Sequence, residues 1–156
     1  MISFDDILQA HEACDRVFRE QSLRAESTLP HDGAIIDVGL PDDAARLIND
    51  CAYFMMLFAR FEQYVKGRAV ALCKAQASAG EWAVRRVWMA LDVERMNFLR
   101  QVALLTPKGG PDYRMVEEHY GERNRIAHGE LLDTRPNVAM IAAKLSGVLA
   151  RLEGIR

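Results

Sequence analysis

The stretch Ile48-Asn-Asp-Cys51-Ala-Tyr-Phe54-Met55-Met-Leu-Phe58-Ala-Arg-Phe61-Glu-Gln-Tyr-Val65 decides how this chain folds. Its apolar positions recur at threes and fours and continue at Ala69 and Leu72, the repeat of one helix face rather than the strict alternation of a strand. Pro41-Asp42-Asp43 supplies a start, with carboxylates at the positive end of the helix dipole. The spacing therefore predicts one long helix from residue 43 to about Ala77, and its apolar face, the richest in the sequence, marks it as the central helix of the core. Gly67 lies inside it, where glycine costs about 1 kcal/mol relative to alanine, and predicts a kink or a close helix contact. The longest apolar run, Cys51 to Ala59, has nine residues, well short of the roughly 20 a bilayer span requires. No transmembrane helix is expected.

Toward the N-terminus, Ser3 and Asp6 form a capping-box pattern that opens a helix over about residues 4 to 26, with Phe4, Ile7, Leu8, Cys14, Val17 and Phe18 as its apolar positions. His11 reads as a surface or flank residue and receives no role. Between Thr28 and Pro41 two prolines and two glycines interrupt any helix, and Ala34-Ile-Ile-Asp-Val38 reads as an extended arm laid on the core or on a partner. An isolated strand would leave its ladder unpaired, so no sheet is expected.

Toward the C-terminus, a break at Ser78 to Gly80 precedes a helix expected over residues 81 to 105. Its apolar set is Trp82, Val84, Val87, Trp88, Leu91, Met96, Phe98, Leu99, Val102 and Leu105, and Arg85, Arg86, Arg95 and Arg100 spread around its polar side. That side reads either as a phosphate-holding surface or as a solvated face. Thr106 to Asp112 is a Gly/Pro-rich loop, Tyr113 to about His128 a helix weakened at Gly121, and Asp133 or Thr134 caps a last helix with Pro136 in its first turn. The whole reads as an all-α, single-domain bundle of about five helices, with residues 1–41 forming the N-terminal helix and arm and 42–156 the helical core.

At 156 residues, half apolar and about a quarter charged, the chain is long enough to close one core and is neither disordered nor membrane-like. Cys14, Cys51 and Cys73 are odd in number and lack Cys-x-x-Cys spacing, which reads as buried free thiols in a reducing compartment. Asp5 and Asp6 stand where a secretory signal carries positive charge. A cytoplasmic location is the expectation. The net charge of -2 hides an uneven distribution: residues 1–50 hold 4 Lys/Arg against 11 Asp/Glu, and residues 51–110 hold 9 against 4. A basic middle joined to an acidic beginning serves either a polyanion or charge pairing within or between chains.

The densest chemistry lies in Gly121-Glu122-Arg123-Asn124-Arg125-Ile126-Ala127-His128-Gly129-Glu130. At about 100° per residue, Asn124 and His128 share a helix face, whereas Arg123 sits roughly 140° from His128. Convergence of Arg123 on His128 needs a long side chain, a turn loosened at Gly121 or Gly129, or residues from two chains. The competing reading is a helix C-terminus with His128 at the negative dipole end and Gly129 as the C′ residue. Gly-rich phosphate loops of the Walker or Rossmann type are lacking, and neither His119 nor His128 has the Glu-x-x-His spacing of a helical di-metal site.

The pattern Arg123-Asn124-x-x-x-His128 resembles the Arg-x4-6-His signature of the HEPN superfamily, and Phe58-Ala-Arg60-Phe61-Glu62-Gln-Tyr64-Val65 looks like the helix that precedes the motif helix in several of its groups, where an aromatic-acid pair is frequent. The resemblance follows helix order over roughly residues 43 to 152. It implies an all-helical domain, commonly dimeric, and a metal-independent endoribonuclease without cofactor, of the kind found in toxin-antitoxin and defence systems, with an antitoxin or other regulatory protein as partner. Carried onto this chain, it makes Arg123 the phosphate clamp, His128 the acid or base and Asn124 the orienting group. Arg85, Arg86, Arg95, Arg100, Arg114 and Arg125 are the accompanying candidates for RNA contact. Many HEPN domains are non-catalytic modules for RNA, nucleotide or protein binding, so both function classes stay open. The subgroup with a modified Tyr two residues after the motif His differs from this chain, which has Glu130 there. The acids Glu118, Glu122 and Glu130 would repel an RNA backbone unless cations neutralise them.

Overall fold

A computed structural model describes residues 2–27, 43–78 and 80–154. Among the described residues all secondary structure is helical, in six helices: α1 (Phe4–Ser27), α2 (Asp43–Ser78), α3 (Trp82–Met89), α4 (Phe98–Leu105), α5 (Pro111–Ala127) and α6 (Val138–Glu153). The arm expected over residues 28–41 lies outside the described residues.

The helix starts follow from side chains that satisfy the unpaired N–H groups of a first turn. At α1 the capping box forms reciprocally, the Ser3 N–H donating to Asp6 Oδ2 at 2.7 Å and the Asp6 N–H to Ser3 Oγ at 3.1 Å. The long helix is α2, with Cys51, Phe54, Phe58, Phe61, Val65 and Ala69 all buried. Ile48, placed on the same stripe by spacing, is exposed. A Cβ built at Gly67 meets nothing within 4 Å among the described residues, so the expected close helix contact there is absent.

The helix expected over 81–105 is two helices, which raises the count from about five to six. Between them the chain turns, the Arg95 N–H donating to the Asp92 backbone carbonyl at 3.2 Å, and the Asn97 side chain starts a new helix, its Oδ1 accepting from the Arg100 N–H at 2.9 Å as the N-cap of α4. Buried Gln101 then fastens the turn, its Nε2 donating to the carbonyls of Val93 at 2.9 Å and Met96 at 3.3 Å. Short polar side chains that bond the local backbone compete with helix continuation, and here they win. As a result α3 buries no residue, and Trp82, Val84 and Val87, expected to be buried, are exposed. The last helix begins at Val138, later than a cap at Asp133 or Thr134 implies, because Asn137 Oδ1 accepts from Met140 N–H at 2.9 Å.

The helices pack in two compact units, Met1–Leu57 with Asn124–Ala142, and Phe58–Arg123 with Ala143–Arg156. In the first, Ile7 of α1, Leu57 of α2 and Val138 and Ala142 of α6 form a buried cluster against which Phe4, Leu8 and Tyr53 pack. The second is built on aromatic rings: Phe58 and Phe61 of α2, Phe98 of α4 and Tyr120 of α5 pair at 5.1 to 6.2 Å by centroid, Phe98 meeting both Phe58 and Phe61 edge to face, the spacing aromatic pairs favour. Its rim is fastened by Tyr64, donating to Glu153 Oε1 at 2.8 Å, by Arg68 to the Leu152 carbonyl at 2.9 Å, and by Arg151 paired bidentately with Asp112. Cys51 and Cys73 are buried free thiols and Cys14 is a half-buried one. None of the described helices is long and apolar enough to cross a membrane.

Candidate functional site

The segment singled out by sequence occupies the end of α5. Gly121 sits inside the helix without interrupting it; the glycine with special geometry is Gly129, at φ 88°. The Gly129 N–H donates to the Ile126 carbonyl at 2.9 Å and the Glu130 N–H to the Arg125 carbonyl at 3.0 Å, which together make a Schellman cap with Gly129 as the left-handed C′ residue. The His128 N–H is shared between the Asn124 and Arg125 carbonyls at 3.0 and 3.1 Å. The C-terminal reading of this segment is thus what the backbone adopts, and no turn loosened at Gly121 narrows the roughly 140° that separates positions five apart on a helix.

Arg123, in the second unit, is half-buried, with its Nη2 3.5 Å from Glu62 Oε2 on α2. Burial pushes the Glu62 carboxyl above the ordinary glutamate range, while Arg123 pulls it back down. The acid of the Phe61-Glu62 pair, picked out in sequence, is therefore an ion-pair partner of the motif arginine. In the first unit, Asn124 is half-buried and His128 exposed, four apart on one face, with the imidazole at the negative end of the α5 dipole.

Two of the surrounding acids have partners within their own units. Glu122 Oε2 lies 2.8 Å from Nδ1 of buried His119, and Arg125 holds Glu130 at 3.1 Å and Asp133 at 3.7 Å. Arg125 is thereby committed to acids. The other cations proposed for RNA contact do not form one helix face: Arg85 and Arg86 lie on α3, Arg95 in the turn, Arg100 on α4 and Arg114 on α5. Arg85 stacks over the Trp82 ring at 5.3 Å and Arg95 pairs with Asp92 at 3.4 Å, while Arg86, Arg100 and Arg114 are exposed. Among the described residues no group of three or more His, Cys, Asp or Glu side chains is placed to hold a metal ion.

A second constellation, in the first unit, was not singled out by sequence. Buried Asp50 accepts from Arg135 Nε at 2.8 Å and lies 2.8 Å from His11 Nε2 and 2.7 Å from Arg135 Nη2. Asp15 pairs with Arg19, with Arg46 at 3.1 Å and, at 3.9 Å, with Arg135. Burial raises the Asp15 carboxyl, but Arg19 and Arg46 outweigh it and hold it below the ordinary range. His11 also meets the Tyr53 ring edge-on at 5.2 Å, and Cys14 Sγ lies 3.3 Å from Tyr53 Oη. The overlooked signal was a carboxylate on the buried face of α2, one residue before Cys51, since a charge so placed requires a cation. The network anchors the segment between α5 and α6 to α1 and α2.

These features define an all-helical protein with an Arg-Asn-x-x-x-His segment at a helix C-terminus, its arginine backed by a half-buried glutamate. No protein-family model, curated protein or solved structure matches the chain.

Proposed function

We propose that this protein is a HEPN-like, metal-independent endoribonuclease acting as a homodimer, in the manner of toxin and defence effectors. The observation that carries the reading is the half-buried Arg123 held 3.5 Å from Glu62, because a guanidinium fixed in direction is ready to meet phosphoryl oxygens bidentately. RNA supplies its own nucleophile in the 2′-OH. The protein then needs only to move that proton, steady the charge on the phosphoryl oxygens and protonate the leaving 5′-oxygen. Imidazole titrates near working pH, and exposed His128 is open to a substrate, with Asn124 on its face to orient the phosphate. The angle between Arg123 and His128 is met by apposing two copies of α5 about a two-fold axis, so that each cleft takes its arginine from one chain and its histidine from the other.

A non-catalytic module that binds RNA, nucleotide or protein is the second reading, favoured by the placement of His128 on a capped helix end, where its role is also met by the dipole alone. End-group analysis separates the two. RNA incubated with wild-type protein in EDTA is expected to yield 2′,3′-cyclic phosphate ends, and Arg123→Ala or His128→Ala to lower the yield by about 10²-fold or more without loss of helical signal. Intact RNA after incubation with folded wild type selects the binding module.

A further inference from the structure

The geometry points to a guanine-selective base subsite in the groove between α2 and the turn leading into α4. This inference rests on the ribonuclease reading for its biological use, though not for its chemistry. The groove has a volume of about 370 Å³ and is lined from α2 by Ala59, Glu62, Gln63 and Lys66, and opposite them by Glu94, Met96, Phe98 and Gln101. That volume falls within the roughly 300–1,000 Å³ of small-ligand sites. Glu62 belongs both to this groove and to the pair with Arg123 at 3.5 Å, so a base held here lies one side chain from the residue proposed to clamp phosphate.

The lining specifies the base. Ala59, Met96 and Phe98 give an apolar wall of the kind on which an unstacked RNA base lies. Buried Gln101 donates its Nε2 to the Val93 and Met96 carbonyls and half-buried Glu62 faces Arg123, so the exposed polar side chains that meet a ligand are Gln63, Glu94 and Lys66. A carboxylate offers two acceptors side by side, and among the four bases only guanine presents two adjacent donors, N1–H and N2–H₂, to receive it. Gln63 Oε1 accepts from Arg60 at 3.4 Å, so its NH₂ remains to donate to guanine O6. Uracil shows one donor between two acceptors and sets an oxygen against Glu94, while adenine and cytosine each offer a single amino group. Lys66, one turn from Glu62 on the same face of α2, meets the nucleotide's phosphate as a point charge.

The test is calorimetric titration of the full chain with the 5′-monophosphates of guanosine, adenosine, cytidine and uridine. GMP is expected to bind at least about tenfold tighter than the other three, the usual discrimination of a bidentate contact; Glu94→Gln removes that preference, and Lys66→Gln weakens all four alike. Equal affinities, no binding of any of the four, or a preference that survives Glu94→Gln overturns the inference. RNA cleavage by the same preparation keeps the two readings apart. Selective GMP binding with no cleavage sinks the ribonuclease and leaves the groove, whereas cleavage blind to base with no GMP selectivity sinks the groove and leaves the ribonuclease.

Discussion

Glu62 and Asp50 are two acids on one helix doing different work. Glu62 is half-buried, and its raised titration means that the fold binds its proton more readily than the unfolded chain does. It therefore contributes stability at pH below the ordinary glutamate range that is lost as pH rises through the folded value. Because Arg123 opposes the shift, Arg123→Ala is expected to move the Glu62 carboxyl resonance to a still higher titration midpoint in NMR. An unchanged midpoint would mean that the 3.5 Å pair does not persist in solution. Asp50 is buried and serves Arg135 and His11 together. Arg135 is more than a third exposed, which screens part of the interaction, so Asp50→Ala is expected to lower urea stability by about 1.5–3 kcal/mol, the range for hydrogen bonds to a charged group. A loss below about 0.5 kcal/mol would show that the network is incidental.

At the scale of helices, the sharpest expectations concern α3, α4 and the end of α5. Since α3 buries no residue, Trp82→Gln is expected to change stability by no more than about 0.5 kcal/mol, whereas Asn97→Ala, which removes the α4 cap, should cost about 1 kcal/mol. Thermal melts of both variants decide this; a large loss from Trp82→Gln would restore the single helix over 81–105 that periodicity alone suggests. Gly129 adopts φ 88°, so Gly129→Ala should also cost on the order of 1 kcal/mol and should fray the turn that presents His128. The long α2 and the capped α1 were legible because a sustained apolar repeat and a reciprocal cap are local signals. The break at residues 90–97 was not, because Val87, Leu91 and Phe98 keep helical spacing across it while the deciding side-chain bonds come from Asn97 and Gln101. Arg123, Asn124 and His128 were legible as residue types. What sequence did not supply was a partner of Arg123 in space, or the network of His11, Asp15, Arg46, Asp50 and Arg135, in which Asp50 and Arg135 bond across 85 positions.

For the whole molecule, the acidic beginning and basic middle of the chain suit charge pairing within or between copies, and the proposed composite site requires a dimer. Sedimentation is expected to give twice the 17.6 kDa of the chain, and a stable monomer at working concentrations would remove the composite site. Mixing two disabled variants tests the central proposal most directly. In EDTA, Arg123→Ala and His128→Ala alone should each cleave RNA about 10²-fold or more slowly than wild type. After subunit exchange in an equimolar mixture, half of the dimers carry one cleft with both intact residues, and the rate should return to about a quarter of the wild-type value if clefts are shared across a two-fold axis. A mixture as slow as its components, or either variant cleaving at the wild-type rate, would contradict the account.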